Sequence, residues 1–316
     1  MKKKGEFQLI GEISRFCSNL NGDDAAVISI SSKKSLLVST DSFNENVHFK
    51  REWSTFFDAG YKAAAGAISD IYAMGGECRH LFSAISLPSS MPGKNLFEFY
   101  RGMKSVADKN GVSIDGGDTV KSPSSHFSAT ITVAGFAPTG NIKRRSDAKV
   151  GDIVYLSAPV GLSKCGLMLL EGGIKNGQKG VLAALLKHRR PNPESLGIKL
   201  GAEKKVHAMI DVSDGLSSEL WHIAEASSVR IDVDLKTVER LSQNLPDLPL
   251  KKKIDKLELV LRSGEEYALL FTAAPSWKNR YGCIPVGRVS KGTRSVYMAS
   301  NGKNVLLEKG GFDHLR

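Results

Sequence analysis

No apolar run in this 316-residue chain approaches the roughly 20 residues that a membrane-spanning helix needs, and the opening MKKKGEF leads into no apolar signal core. A cytoplasmic protein is the resulting expectation. Cysteine is scarce: Cys17, Cys78, Cys165 and Cys283 lie far apart with no paired spacing, which argues against a disulfide framework and a cysteine zinc site. Most are expected to be buried thiols. The common phosphate-binding signatures are also missing. There is no G-x-x-x-x-G-K-[ST], because "GGIKNGQKG" misplaces Lys179 and lacks the hydroxyl residue; no G-x-G-x-x-G and no H-R-D loop occurs. The short basic runs at residues 2–4, 188–190 and 251–253 lack the interleaved aromatics of a single-strand groove. The net charge of +11 is spread along the whole chain. It reads as a solvated basic surface, and a field that attracts polyanionic small molecules fits equally well; no nucleic-acid partner is expected.

The length points to two domains. Apolar residues at Phe7, Ile10, Ile13 and Phe16 predict an amphipathic helix. "AAVISI" and "SLLVST" read as short strands, each beside an acid. The Ala-rich "DAGYKAAAGAISDIYAMGG" predicts a helix closed by Gly75 and Gly76, with Asp70 interrupting its apolar face. A strand at residues 80–87, a helix at 95–108 and the alternating strand "HFSATITVAGF" follow, and "GVSIDGGDTV" reads as a strand running into a Gly-Gly turn. Residues 138–151 look like a connection. Beyond it, "GDIVYLSA", "RIDVDL", "LRSGEEYALLF" and "CIPVGRV" are predicted strands, and "PVGLSKCGLMLLEGG" a turn leading into a helix. That turn reads either as a plain helix start or as an anion-binding helix N-terminus. The irregular alternation predicts an α+β protein of two α/β domains with mixed sheets, not a doubly wound fold.

Acids gather at the element ends: Asp23 and Asp24 in "NGDDAAV", Asp41 in "STDSF", Asp70, Asp118 in "GGDTV", and Asp211 with Asp214 in "IDVSDGLSSEL". Taken singly, each suits a cap or a turn, and Asp214 stands where a helix begins. Taken together, beside small and aliphatic residues, they suit hard divalent cations, which prefer oxygen ligands and often share them with substrate phosphates.

Nine segments, in order, carry a resemblance to a known family: "GDDAAV", "STDSFNENVHF", "YKAAAGAISDIYAMGG", "GGDT", "RSDAKVGDIVYLSAPVG", "IDVSDGLSSELWHI", "SGEEYALLF", "IPVGRV" and "GFDHL". The chain resembles the thiamine-monophosphate kinases, of the superfamily that includes aminoimidazole ribonucleotide synthetase and selenophosphate synthetase. The resemblance implies two PurM-like domains, residues 1–140 and 141–316, the first dimerising through its sheet. It implies ATP and thiamine monophosphate as substrates in the cleft between the domains. By the same resemblance Asp24, Ser39, Thr40, Asp41, Asp70, Asp118, Asp211 and Asp214 match magnesium positions. Gly117, Arg145, Ser213 and Tyr100 match nucleotide contacts, while His48, Glu266 and Phe312 match the substrate side. No covalent nucleophile is implied. Departures occur where the family's "GGEDYEL" stands as "SGEEYAL", where the Arg of "P-x-P-R" is missing from "RPNPESLG", and where Phe312 replaces the more usual Tyr. The sister enzyme aminoimidazole ribonucleotide synthetase shares the fold and is the nearest rival, with a basic nucleic-acid module a distant one.

Overall fold

Glycine and alanine set how closely the first helices approach the rest of the molecule. The computed structural model describes residues 6–13, 16–17, 22–250, 254–300 and 303–310. The N-terminal elements are α1 (Glu6–Ile13), β1 (Ala26–Ser29), β2 (Lys34–Asn44), α2 (Phe56–Ala73), β3 (Glu77–Leu87), α3 (Gly93–Lys109), β4 (Ser113–Lys121) and β5 (Ser128–Pro138). Helix α2 begins at a capping box in which Thr55 Oγ1 accepts from the Asp58 N–H and Asp58 Oδ2 accepts from the Thr55 N–H. Its Ala-rich body is buried almost all round. Helix α3 crosses it in close contact: a Cβ on Gly60 would lie 1.9 Å from the Phe99 carbonyl oxygen, and one on Gly102 would lie 2.0 Å from that of Phe57.

The five strands form one sheet in the order β1-β2-β5-β3-β4, antiparallel except for β3 with β4. Burial alternates along β5, with Ala129, Ile131, Val133 and Ala137 in the core. The opposite face of the sheet is uncovered and displays Ile28, Phe82 and Val120. The Gly116-Gly117 pair is not a turn. Strand β4 continues through it, paired with β3 across an irregularity at Asp115, and Gly117 allows the two strands to pack closely.

The later elements are β6 (Ile153–Leu156), α4 (Leu162–Glu171), α5 (Lys179–Arg189), α6 (Leu196–Ala202), β7 (Val206–Asp211), α7 (Leu216–Ser227), β8 (Arg230–Asp234), α8 (Leu235–Gln243), α9 (Lys256–Leu261), β9 (Leu269–Ala273), β10 (Ile284–Ser290), β11 (Ser295–Ser300) and β12 (Lys303–Leu306). Their strands form a second mixed sheet, β12-β11-β8-β10-β6-β9-β7, parallel only at β11 with β8 among the described strands. The α+β class with mixed sheets is therefore observed. "LRSGEEYALLF" is a strand only from Leu269 onward; residues 262–268 are a loop in which Glu265 and Tyr267 take positive φ angles of 56° and 49°. No helix among the described residues is long and apolar enough to cross a membrane.

Helix α2 belongs to the first sheet's core but also touches β7, α5 and α6 of the second. Its far face therefore forms one wall of the space between the two sheets.

Candidate active site

Where β2, α2, β7 and the loops at residues 22–25 and 262–268 converge, they enclose a cleft of about 920 Å³. One end is acidic. Asp24, Asp70 and Asp211 each place a carboxylate oxygen within 4.8 Å of the others. Asp41 and Asp214 line the same cleft. Burial and the Asp24 charge push the Asp41 carboxyl up to about 6. Burial, then Asp41 and Asp211, raise Asp70 well above the usual carboxylate range, against a hydrogen bond donated by Ser39 Oγ at 2.5 Å. Asp211, raised by burial and Asp24, accepts from Ser69 Oγ of α2 at 2.6 Å. Such mutual repulsion in a buried place favours protonation or a cation.

An oxygen-only donor set of this kind fits Mg²⁺, and Asp24 Oδ2 is buried without a hydrogen-bond partner among the described residues, as a ligand oxygen would be. Asp24 Oδ1 accepts from Arg145 Nη2 at 2.7 Å, and Asp23 accepts from Arg144 Nη1 and from the Arg145 N–H. Arg145 lines the cleft, and its Nε is buried without a hydrogen-bond partner among the described residues. Burial acts to weaken the charged form of Arg145, but Asp24, Glu219 and Asp211 together outweigh it, so the guanidinium stays cationic.

Asp214 does not cap α7. Gly215, at φ 122°, holds the cap position, while the Asp214 N–H donates to Glu219 Oε1 at 2.9 Å. Asp214 lines the cleft with Ser213.

The other end is aromatic. Phe43, Phe49 and Trp53 line it with Val47 and His48. His48 stacks on Phe43 at 5.2 Å, and its Nδ1 accepts from the Asn44 N–H at 3.0 Å, which fixes the proton of the neutral ring on Nε2. A flat heteroaromatic ligand suits this wall.

Other candidates lie elsewhere. Glu266 is fully buried and turned away from the cleft: its Oε1 accepts from the Gly161 and Ser163 N–H groups and from Ser263 Oγ. The N-terminus of α4 is thus already filled by an internal carboxylate, which leaves it no free anion site. Ser263 Oγ in turn accepts from the Lys164 N–H at 2.9 Å. The two departures in "SGEEY" therefore work as a pair, the longer acid reaching the helix and the added hydroxyl bracing it. Its neighbour Glu265 is the acid that lines the cleft.

Asp118 lies on the exposed strand β4, its own Oδ1 accepting from the Thr119 N–H. It pairs in register with Ala84, then Thr130, then Ser42. Three strand spacings, about 14 Å, separate it from the acidic end, too far to share an ion with Asp41 within one chain. Tyr100 and Gly117 meet at that same edge: Tyr100 Oη is 3.0 Å from Ser83 Oγ, and a Gly117 Cβ would lie 2.1 Å from the Ser83 carbonyl oxygen. Thr40 lines the cleft mouth and hydrogen-bonds Thr132. Phe312 lies outside the described residues.

Sequence reasoning missed Lys62, His188, Glu265 and Tyr267, all lining the cleft. Lys62 had a signal, as a single cation within an otherwise small and apolar helical run. Glu265 had none, since two adjacent acids do not reveal which one faces the cleft.

Residues 22–137 match the family described as AIR synthase related protein, N-terminal domain, and residues 149–296 match its C-terminal domain. The chain is 34% identical over 307 residues to the thiamine-monophosphate kinase of Bacillus subtilis (strain 168), covering 93% of each chain. It is 32% identical over 322 residues to that of Aquifex aeolicus (strain VF5), covering 99% of each. A solved structure described as AaThiL complexed with AMPPCP and TMP superposes with a TM-score of 0.85 at 29% identity, covering 98% of this chain and 97% of that one.

Proposed function

The chain belongs to the thiamine-monophosphate kinase family within the AIR synthase related proteins, and from that premise we propose that it transfers the γ-phosphoryl of ATP to the phosphate of thiamine monophosphate. The observation that carries this reading is the two-ended cleft, with a cluster of buried carboxylates opposite an aromatic wall at His48. The acceptor is a phosphate oxygen that is already ionised, so no strong general base is needed, and none is assigned. The obstacle is bringing two polyanions together.

Asp24, Asp70 and Asp211, with Asp41 and Asp214, would hold Mg²⁺, and Ser39 and Thr40 flank them. When bound, Mg²⁺ supplies charge neutralisation at phosphate oxygens. Arg145 and Ser213 border the same end and are the nucleotide-side groups. The thiamine rings take the aromatic wall, with His48 and Glu265, not Glu266, on the substrate side; a stacking role for Phe312 belongs to the same reading. Transfer is in line and direct, without a phosphoenzyme.

We assign residues 1–140 and 141–316 to the two domains and place the protein in the cytoplasm as a homodimer. The open face of the first sheet, with Ile28, Phe82 and Val120 exposed, is the surface that pairing would cover. Asp118 lies on that face, and Tyr100 and Gly117 at its edge. Pairing is the arrangement that would give Tyr100 and Gly117 a nucleotide to contact and Asp118 a magnesium ion to hold.

Purified protein given ATP, Mg²⁺ and thiamine monophosphate should release ADP and thiamine diphosphate in equal amounts. Release of ADP only with formylglycinamidine ribotide, or radiolabelled phosphate trapped on the protein during turnover, would overturn the reading.

A further inference from the structure

Lys62 is an ammonium in an unusual place. It projects from the Ala-rich helix α2, and its side chain is only 3% exposed. An ammonium so placed is retained when it is paired and hydrogen-bonded. Its Nζ donates to the His48 carbonyl oxygen at 3.2 Å and forms an ion pair with Glu265 Oε2. The first partner is the main chain of the turn that presents His48. The second is a carboxylate on the loop at residues 262–268, which belongs to the other sheet's half of the molecule. Glu265 sits at φ 56°, a conformation that ordinary side chains avoid, and its N–H donates to the Ser213 carbonyl oxygen at 2.7 Å.

His188 also approaches Glu265, with Nδ1 3.6 Å from Oε2 and 3.4 Å from Ser163 Oγ. Its burial and the charges of Lys62, Arg189 and Lys164 hold it neutral, so among the described residues Lys62 is the charged ion-pair partner of this carboxylate. The helix thus ties together two separate pieces of the aromatic end of the cleft, one from each half of the chain.

We propose that Lys62 is a positioning residue that fixes the His48 turn and the Glu265 carboxylate relative to each other, and so sets affinity for thiamine monophosphate without setting that for ATP. The inference rests on the kinase reading above. Lys62 acts through its two partners and touches no reacting atom. Removing the ammonium leaves the Glu265 carboxylate without its counter-charge and the His48 turn without its tether, while the acidic end keeps all its groups.

The experiment compares wild type, Lys62→Met, Glu265→Gln and the double variant in steady-state assays, with binding of thiamine monophosphate read independently from the fluorescence of Trp53, which lines the same wall. Lys62→Met should raise KM and Kd for thiamine monophosphate about tenfold or more, with kcat and the KM for ATP within about threefold of wild type. The double variant should be no worse than the worse single, as expected for residues that act through each other. If Lys62→Met does not fold, Lys62→Gln is read in the same way, since it keeps a donor for His48 and removes the charge. An unchanged KM for thiamine monophosphate in an active enzyme, equal losses for both substrates, or additive effects in the double variant would overturn the positioning role alone. A wild-type protein that turns over ATP but neither binds nor phosphorylates thiamine monophosphate would overturn the kinase reading, and this proposal with it.

Discussion

Replacing Asp41 by Asn should make the protein more stable when divalent metal is absent, and inactive when it is present. Asp41 is pushed from the ordinary 3.8 up to about 6 by burial and by the charge of Asp24. A group raised in this way stabilises the fold fully below 3.8, and that contribution is lost as the pH rises through 6. At pH 7.5 without metal, the ionised carboxylate therefore carries a penalty of at most about 3 kcal/mol. Asp41 is partly exposed to the cleft, so solvent and counter-ions reduce the usable figure to about 1–2 kcal/mol. The amide keeps the size and loses the charge, which also relieves Asp70 of a repelling neighbour.

In EDTA at pH 7.5 the variant should melt about 1.5–3 °C above wild type, and the difference should vanish near pH 4, where the wild-type carboxyl carries its proton. Addition of Mg²⁺ should reverse the order, because wild type gains binding energy that the variant has lost. Differential scanning fluorimetry across pH, with and without metal, reads both effects. A variant that melts at or below wild type in EDTA at pH 7.5, or a difference that persists unchanged at pH 4, would refute the reasoning.

Three further outcomes are expected. Asp214→Asn should leave the melting temperature within about 2 °C while lowering turnover at saturating substrate by at least about 100-fold, because Asp214 lines the cleft and Gly215 holds the N-cap of α7. Ser263→Ala removes a donor to buried Glu266 and an acceptor for the Lys164 N–H. It should destabilise the protein by about 1–3 kcal/mol in thermal or urea unfolding. Its KM for thiamine monophosphate should stay near wild type, and a shift in KM without loss of stability would refute the bracing role. Phe82→Asp, on the open face of the first sheet, should convert the proposed dimer to a monomer in sedimentation experiments, with loss of activity; a monomeric wild type would refute the pairing of these faces.

Much of this arrangement could be read from residues alone, for reasons that are local. The alternation in "HFSATITVAGF" and the alanine content of "YKAAAGAISDIYA" are patterns of period two and of a buried helix, and both elements form where the patterns stand. The carboxylates Asp24, Asp41, Asp70 and Asp211 stood out by lying among small and aliphatic residues at element ends, and the fold brings them to one cleft. What failed depends on information that spacing does not carry. "GG" in β4 reads as a turn by composition, yet here it allows close approach to the Ser83 carbonyl. The choice between Glu265 and Glu266 rests on a positive φ that no neighbouring residue announces. Asp118 shares the composition of the other acids, but its place depends on strand order, which comes from pairing distant in sequence.

Helix α2 has one more consequence. Lys62, at the aromatic end, and Asp70, at the acidic end, stand eight residues apart on it, which an α-helix converts into about 12 Å along its axis. The helix packs against α3 at Gly60 and Gly102 too closely for any side chain at either position. It works as a ruler laid along the cleft: the span between the aromatic wall and the carboxylates is set by backbone pitch, not by the reach of side chains. Inserting a single alanine between these two positions would turn one end by about 100° relative to the other and put the two halves of the site out of phase, with every functional side chain still present.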